Sequence, residues 1–314
     1  MTKLAVVMDP IDKIKAYKDT SLAILLAAQE RGIENYYIEP EKIWLQDGMT
    51  WGQMHPVQVK DDNQDWFSLG DPIEQPLPEL DLLLIRKDPP FDLHYVHLTY
   101  LLEQAQEQGL LVINDPASLR DANEKLFTAW FPQCCPRTLV TSQIDWLKEF
   151  VLTEKEVVIK PLDSMGGYSV FRARNTDENL NVILETLTQK NKKLVMAQTF
   201  IPQIRKGDKR ILLIDGEPIP YALARIPALD DFRGNLAAGA TSEGRELTDH
   251  DLWICEQVGP VLEEKGLVFV GIDIIGDYLT EINVTSPTCV RELNALYDLD
   301  IAGDLIEHIM DEYL

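Results

Sequence analysis

The first third of the chain alternates short, continuous apolar runs with segments of helical periodicity. The apolar runs predict buried strands at residues 4–8, 35–38, 82–85 and 110–113. Apolar residues spaced three and four apart predict helices over about 20–31 and 96–108, each ended by a glycine. This alternation is typical of a parallel α/β sheet. Residues 46–79 are rich in polar residues, proline and tryptophan, and they predict an irregular excursion.

From about residue 120 the pattern becomes α+β. Strands are predicted at 156–160 and 194–198, and a hairpin near 210–225 turns at Asp215-Gly216. A second hairpin is predicted over 268–284. We therefore predict an N-terminal parallel α/β domain over 1–122, followed by α+β units over 123–201 and 202–314.

The composition limits the partners of the protein. Lys and Arg number 29 against 52 for Asp and Glu, which gives a formal net charge of −23. Nucleic acids and anionic membranes both require basic surfaces, so we expect neither as a partner. The cysteines at 134, 135, 255 and 289 form no C-x-x-C motif. We expect them to be reduced thiols in a cytoplasmic protein.

The second predicted hairpin carries polar side chains within apolar strands. A three-residue turn would pair Ile275 with Leu279. Asp273 would then face Glu281, and Asn283 would lie on the same face. Neighbouring carboxylates repel unless a proton or cation lies between them, and oxygen ligands without His or Cys suit Mg²⁺. The alternative is the polar outer face of a half-buried hairpin.

The strand predicted at 156–160 ends in a lysine, and a glycine-rich loop follows it. The loop at 163–168 lies between two strands and matches neither a Walker A loop nor a dinucleotide fingerprint. Gly166 and Gly167 would let the backbone present N–H groups to a phosphate. Lys160 ends an apolar strand and needs an anion, and Lys125 could supply a second charge. The alternatives are a plain turn and a solvated Lys125.

Two arginines flank the first hairpin turn. A two-residue loop would place Arg210 opposite Tyr221, so that Arg225 falls on the same face. Such a pair repels unless an anion bridges it, and the alternative is an exposed face of salt bridges.

The segment at 226–244 is small, polar and poor in signals of regular structure. A stretch of this length without regular structure is either functional or disordered, and Arg233 near its centre indicates a lid that carries an arginine. Lysines, a glycine loop, an oxygen-ligand set and an arginine lid together are what phosphoryl transfer requires. The sequence therefore predicts a nucleotide site.

These motifs resemble those of the bacterial glutathione synthetases of the ATP-grasp superfamily, along essentially the whole chain. The resemblance rests on the segments at 86–91, 118–121, 123–131, 160–163, 165–167, 207–210, 233–239, 271–277 and 280–288. The Lys, Asp and Asn positions alone would indicate only an ATP-grasp protein. The 86–91 segment and Arg233 point to this branch. Ser164 and Ala240 stand where the family has glycine, and both would stiffen a mobile loop.

The resemblance implies an ATP-grasp fold with an N-terminal α/β domain, and it implies a role for each site residue. The nucleotide would be bound by Lys125, Lys160, Gly166, Gly167, Gln198, Ile201 and Asp208. The metal would be held by Asp273, Glu281 and Asn283. The reacting groups would be stabilised by Arg210, Arg225 and Arg233. Substrates would be held by Arg86, Arg233, Asn283 and Ser286.

The activity that the resemblance implies joins γ-glutamylcysteine and glycine at the expense of ATP, through an acyl phosphate. The implied cofactor is Mg²⁺, with Mn²⁺ as the alternative, and the implied assembly is a homotetramer. Two other functions fit the motifs: another ATP-grasp carboxylate–amine ligase, and a non-catalytic nucleotide-binding protein. The intact metal-ligand pattern speaks against the second.

Overall fold

The computed structural model describes residues 1–228, 234 and 239–314. Its first sheet is built from the strands β1 (Lys3–Val7), β2 (Glu34–Ile38), β3 (Ile43–Gln46), β4 (Met49–Val59), β5 (Phe67–Leu69), β6 (Ile73–Pro76), β7 (Leu82–Ile85) and β8 (Leu111–Ile113). The main strand order is β3-β4-β2-β1-β7-β8, and β5 and β6 also pair with β4. The helices of this part are α1 (Thr20–Glu30), α2 (Leu93–Glu107) and α3 (Pro116–Asp121).

The predicted parallel α/β sheet is confirmed at the centre of this part. β1 pairs in parallel with β2 and β7, and β7 pairs in parallel with β8. β1 is buried from Leu4 to Val7, as the apolar run that follows Lys3 predicts. Asp19 caps α1 by accepting a hydrogen bond from the backbone of Leu22 at 2.7 Å, which fixes where the helix begins.

The prediction of an irregular excursion over 46–79 is wrong. Most of this segment adds antiparallel strands to the sheet, with the eleven-residue β4 at its centre. Much of β4 alternates between buried and more exposed positions, which is a strand pattern that its proline, glycine and tryptophan content obscured. Gly52 in β4 has no room for a side chain, because an added Cβ would lie 2.7 Å from Leu77.

The second sheet is small and antiparallel. It comprises β9 (Thr138–Thr141), β10 (Glu156–Pro161), β11 (Phe171–Arg174) and β12 (Val195–Thr199), in the order β11-β10-β12-β9, with the helices α4 (Ile144–Glu154) and α5 (Leu180–Leu187). Leu147, Val151 and Leu184 of the helices pack with Val157 and Ile159 of β10 in a core of their own.

The third sheet has the order β15-β14-β13-β16-β17, with every neighbouring pair antiparallel. Its strands are β13 (Asp208–Ile214), β14 (Glu217–Ile226), β15 (Thr241–Glu246), β16 (Phe269–Ile275) and β17 (Tyr278–Asn283), and its helices are α6 (Asp249–Glu264), α7 (Val290–Tyr297) and α8 (Ile301–Glu312). Two continuous apolar cores join this sheet to the first one.

The chain thus passes through three sheets in succession. Domain boundaries at 122 and 201 stay a prediction, although both fall where the chain leaves one sheet for the next. No helix in the described ranges combines the length and apolar character that crossing a membrane demands.

Candidate functional site

Two buried lysines meet one carboxylate where the second sheet faces the third. Lys160 of β10 donates from Nζ to the carbonyl oxygen of Thr280 at 3.0 Å. Lys125 donates from Nζ to the carbonyl oxygen of Ser164 at 2.5 Å and also pairs with Glu124. The Oε1 of Glu281 lies 3.7 Å from Nζ of Lys160 and 3.8 Å from Nζ of Lys125. Both ammonium groups therefore face a single carboxylate on β17.

The pKa values of Lys160 and Lys125 shift in opposite directions. Burial lowers the pKa of Lys160, and the attraction of Glu281 does not fully offset it. Burial also acts to lower the pKa of Lys125, but Glu281 and Glu124 outweigh it and raise the pKa above its ordinary value. The charged form of Lys125 is thus well stabilised by its neighbours. The charged form of Lys160 is not, so an added anion such as a phosphate would stabilise Lys160 more.

A cavity opens in front of these lysines. It is open to solvent and is lined by residues of the second and third sheets. Its lining includes all seven residues for which the sequence predicts nucleotide binding: Lys125, Lys160, Gly166, Gly167, Gln198, Ile201 and Asp208. The structure brings these residues together, and their role stays a prediction.

The glycine loop between β10 and β11 covers part of this cavity. Gly166 and Gly167 have φ values of +62° and +76°, in the left-handed region that favours glycine. The preceding Ser164 supplies the carbonyl oxygen that Lys125 binds. The loop is therefore anchored at one end by a cavity lysine and shaped by its glycines.

A second centre lies on the third sheet, where Asp273 receives two arginines. Arg210 donates from Nε and Nη2 to its two oxygens, at 2.5 and 2.9 Å. Nη2 of Arg225 lies 2.9 Å from Oδ2 of Asp273. Burial would raise the pKa of Asp273, but the two arginines outweigh it and hold that pKa well below its usual range. Asp273 is accordingly ionised at neutral pH.

Asp208 is the counterpart of Asp273, with the opposite shift. Arg225 donates to its Oδ2 at 2.6 Å, while its Oδ1 is buried and has no hydrogen-bond partner in the described part of the chain. Burial raises the pKa of Asp208 to about 7, and repulsion from Asp273 and Glu281 adds to the effect of burial. Asp208 also lies close to Gly234, where an added Cβ would come within 2.6 Å of its Cβ.

The predicted pairing of Asp273 with Glu281 is confirmed, but the predicted turn is wrong. Ile275 pairs with Tyr278 across a two-residue turn, and the register shifts between Asp273 and Ile274. The shift restores the pairing that a three-residue turn would have produced. The two carboxylates consequently face each other across the strands.

Asn283 joins these carboxylates on the same face, as predicted. It pairs with Gly271 on β16 and donates from Nδ2 to the carbonyl oxygen of Gly271 at 3.2 Å and to Oδ2 of Asp273 at 3.3 Å. Glu281 has a side-chain exposure of 24%, so its carboxylate reaches the cavity. Two carboxylates and an amide are oxygen donors of the kind that Mg²⁺ prefers. Both oxygens of Asp273 contact arginines in this arrangement, and metal binding by the three residues stays a prediction.

The predicted register of the first hairpin is also wrong. The prediction that Arg210 and Arg225 share a face of the sheet is right. Arg210 pairs with Leu223 and not with Tyr221, because the register shifts between Ile211 and Leu213. Leu223 and Arg225 are two residues apart, so Arg210 and Arg225 still share a face. Their common contact with Asp273 follows from this arrangement.

A second cavity adjoins the first. It is lined by residues from all three parts of the fold, among them Lys18, Gly166, Arg210, Arg225, Glu281, Asn283, Ser286, Cys289 and Glu292. Gly166 and Glu281 line both cavities. Ligands in the two cavities would therefore meet beside Glu281 and the arginine pair.

Two predicted substrate residues differ from the rest. Arg86 lies behind the second cavity and is not part of its lining; it donates from Nε to Ser21 at 3.2 Å and from Nη2 to the carbonyl oxygen of Pro287 at 2.8 Å. Its buried Nη1 has no hydrogen-bond partner among the described residues. Arg233, predicted as catalytic and substrate-binding, lies outside the described residues, as does much of the predicted lid. The prediction that 226–244 lacks regular structure is wrong at its ends, because β14 reaches Ile226 and β15 begins at Thr241.

Sequence reasoning missed several charged residues that line the second cavity, among them Glu124, Lys18 and Glu292. Glu124 pairs with Lys125, and Lys18 and Glu292 line the second cavity. Glu124 lies next to Lys125 in the 123–131 segment, and this position was the only sign in the sequence that it belongs to the site. Lys18 and Glu292 carried none, because their positions depend on how the first and third sheets pack together.

Comparisons with known proteins agree with this site. Residues 2–120 match the family model described as the prokaryotic glutathione synthetase N-terminal domain, and residues 124–298 match the model of its ATP-grasp domain. The chain is 61% identical over 311 residues to the glutathione synthetase of Coxiella burnetii, covering 99% of this chain and 97% of that protein. It is 53% identical over 309 residues to that of Shewanella oneidensis, covering 98% of both.

Solved structures support the fold. D-cycloserine synthetase DcsG matches with a TM-score of 0.67 at 14% identity, covering 98% of this chain and 99% of that one. A RiPP-associated ATP-grasp ligase of Chryseobacterium gregarium also matches with a TM-score of 0.67, at 15% identity, covering 100% and 98% of the two chains. These likenesses show the ATP-grasp fold. The family models and the relatives show that the chain belongs to the prokaryotic glutathione synthetase family.

Proposed function

We propose that the protein is an ATP-dependent ligase that joins γ-glutamylcysteine to glycine and forms glutathione, ADP and phosphate. The observation that carries this proposal is the position of Glu281 and the Arg210–Arg225 pair. Glu281 lines both the cavity that contains the predicted nucleotide-binding residues and the adjoining one, and both arginines line the second. A carboxylate in the second cavity would meet the terminal phosphate of ATP beside these groups.

The first step transfers the γ-phosphoryl group. An oxygen of the cysteinyl carboxylate forms a bond to the γ-phosphorus, the bond from phosphorus to the bridging oxygen breaks, and ADP leaves with that electron pair. Two anions must approach each other, so the surrounding cations lower the barrier. Lys125 and Lys160 would neutralise the phosphates, and Arg210 and Arg225 would hold the carboxylate and the transferred group.

The second step makes the peptide bond. The amine of glycine attacks the acyl carbon, and phosphate leaves with the electron pair of the carbon–oxygen bond as the amine loses a proton. Chemistry of this kind needs positioning, neutralisation and exclusion of water, and no protein nucleophile. We assign the exclusion of water to the segment between β14 and β15, where the sequence predicts a lid, and the binding of a substrate carboxylate to Arg233. Arg86 does not line the second cavity, so we assign it to the support of the cavity wall at Pro287 and not to direct contact with a substrate.

A divalent cation completes the proposed site. Asp273, Glu281 and Asn283 would hold Mg²⁺, or Mn²⁺ in its place. When bound, the metal supplies positive charge to the phosphate oxygens. The donor set supports this assignment, because it combines two carboxylates and an amide on one face of the hairpin.

We also propose a cytoplasmic location and a homotetramer. The first is supported by four cysteines that are all free thiols, three of them buried. The second rests on the family resemblance, and light scattering after size-exclusion chromatography tests it.

The proposed reaction is tested by measuring phosphate release from ATP, Mg²⁺, γ-glutamylcysteine and glycine, with each component omitted in turn. Mass spectrometry follows glutathione in the same samples. We expect release that depends on all four components and matches glutathione formed. Release with a different amine or carboxylate, and none with this pair, would identify another ATP-grasp ligase. Bound ATP with no release under any condition would identify a nucleotide-binding protein.

A further inference from the structure

Ser164 lies near the start of the glycine loop and carries a hydroxyl group to which the reaction described above assigns no role. Its Oγ is buried, and it has no hydrogen-bond partner within residues 1–228, 234 and 239–314. A buried hydroxyl group that lacks a partner loses the hydrogen bonds that water would make with it. In the lining of a binding cavity, such a group indicates a ligand that accepts its hydrogen bond.

Ser164 lies in the part of the first cavity that adjoins the second. It lines the first cavity together with Lys125, Lys160 and Gly166. Its carbonyl oxygen accepts a hydrogen bond from Nζ of Lys125 at 2.5 Å, and the same Nζ lies 3.8 Å from Oε1 of Glu281. Because Glu281 also lines the second cavity, Ser164 is close to the place where the terminal phosphate of a nucleotide would meet an acyl donor.

Three contacts fix the start of the loop without any ligand. Nδ2 of Asn123 donates to the carbonyl oxygen of Leu162 at 2.9 Å, and Nζ of Lys193 lies 2.8 Å from Oδ2 of Asp163. The third contact is the hydrogen bond from Lys125 to the carbonyl oxygen of the serine that follows. The hydroxyl group of this serine is therefore held in place before a nucleotide arrives, which lowers the entropy lost on binding.

We propose that the hydroxyl group of Ser164 donates a hydrogen bond to the terminal phosphate of bound ATP. This inference rests on the proposed function. A serine hydroxyl has one O–H donor, and its hydrogen bonds to anionic oxygens are stronger than those to neutral ones. ADP lacks the terminal phosphate, so the contact favours ATP over the product that must leave. Since the motif of the family has glycine at this position, the contact adds to those of the lysines and the loop backbone.

Two nucleotides, one with and one without the terminal phosphate, test this contact. Isothermal titration calorimetry of the full chain with Mg²⁺ measures the Kd of ADP and the Kd of a non-hydrolysable ATP analogue with an imido bridge between its last two phosphates. In Ser164→Ala, we expect the Kd of the analogue to rise about tenfold to hundredfold, the range for a lost hydrogen bond to a charged group. The Kd of ADP is expected to stay unchanged, because ADP lacks the group that the hydroxyl contacts.

Two further variants separate the hydroxyl group from the shape of the loop. Ser164→Gly removes the hydroxyl and also frees the backbone, and we expect it to lose the preference for the analogue over ADP as Ser164→Ala does. Ser169→Ala is the matched control, since it removes a hydroxyl from the same connection between β10 and β11, and Ser169 lines neither cavity. Its two Kd values are expected to equal those of the wild type. Thermal denaturation shows that each variant is folded.

The ratio of the two Kd values decides the inference. A ratio in Ser164→Ala equal to that of the wild type overturns it, and so does an equal change of the ratio in Ser169→Ala. A ratio that changes in Ser164→Gly but not in Ser164→Ala assigns the effect to the flexibility of the loop and also overturns it. A wild-type protein that binds the analogue but makes no glutathione overturns the proposed function alone, and the ratio still decides the inference. A wild-type protein that binds neither nucleotide overturns both.

Discussion

Arg210 and Asp273 stand opposite each other on β13 and β16 and form an ion pair through two hydrogen bonds, at 2.5 and 2.9 Å. Both residues are buried, and Arg225 contacts the same carboxylate at 2.9 Å. A carboxylate that serves two buried guanidinium groups contributes to the fold before any substrate binds. Asp273 and Glu281, predicted as two ligands of one metal, are therefore expected to respond differently to substitution.

Asp273→Asn is expected to lower stability as well as activity. The amide keeps the shape of the side chain but removes the charge, and breaking a buried ion pair costs about 3–5 kcal/mol. Urea unfolding of the ligand-free protein at pH 7 measures the change in the free energy of unfolding. Asp65→Asn is the control, since it removes an acidic group from the exposed pair with Lys60, and no measurable change is expected. If Asp273→Asn were as stable as the wild type, Asp273 would contribute to ligand binding and not to the stability of the fold.

Glu281→Gln is expected to lower kcat by roughly a hundredfold or more while the melting temperature stays close to that of the wild type. The side chain is 24% exposed, and its nearest cations are 3.7 and 3.8 Å away, so little of the fold depends on it. Phosphate release and thermal denaturation on the same preparation provide both quantities. Kinetics like those of the wild type, with an ordinary Mg²⁺ requirement, would remove Glu281 from the metal site.

The sequence predicted the parts of this protein that follow local pattern. The parallel strands around β1 and the facing of Asp273 and Glu281 follow from apolar runs and from the alternation of strands. The register of both hairpins could not be predicted, because each contains a register shift that the alternation of apolar and polar residues does not indicate. In the first hairpin the register shifted by two residues, so Arg210 and Arg225 still share a face. In the second hairpin the shift compensated for a turn one residue shorter than predicted, so Asp273 still pairs with Glu281.

The cavity walls show the same limit. Lys160 and the glycine loop were found because they are adjacent in sequence and unusual for a strand end. Lys18 and Glu292 are 274 residues apart in the numbering, and only the packing of the first sheet against the third makes them neighbours. The sequence also misplaced one residue. The motif of Arg86 was recognisable, but its side chain lies behind the second cavity and not in its lining.

Gly166→Ala tests whether the glycine loop holds the nucleotide. Gly166 has a φ of +62° and no atom within 4 Å of an added Cβ, so the substitution strains only the backbone, by about 1–2 kcal/mol. We expect KM for ATP to rise severalfold, as measured by phosphate release at varied ATP. Gly32→Ala is the matched control, with a φ of +75° and equally open space, and Gly32 is exposed and lines neither cavity. If both variants raise KM for ATP equally, general destabilisation and not the loop is responsible.

The pKa of Asp208 predicts how stability depends on pH. Burial raises this pKa from its ordinary 3.8 to about 7, so between these values the folded protein holds a proton that the unfolded chain has released. Stability from this group is therefore lost as pH rises from about 4 to 7 and changes no further above that range. Asn resembles the protonated carboxyl and does not titrate. The melting temperature of Asp208→Asn relative to the wild type should accordingly increase from pH 4 to 7 and then level off.

The opposite trend would have an equally definite cause. Arg225 donates to Asp208 at 2.6 Å, and this contact lowers the pKa of the carboxyl against the effect of burial. If the arginine outweighed burial, the folded pKa would lie below 3.8, and the carboxylate would stabilise the protein above that pH. Asp208→Asn would then be less stable than the wild type at pH 7, and the difference would shrink as pH falls below 4. Thermal denaturation of both proteins between pH 4 and 8, without ligands, separates the two cases by the sign of the difference at pH 7.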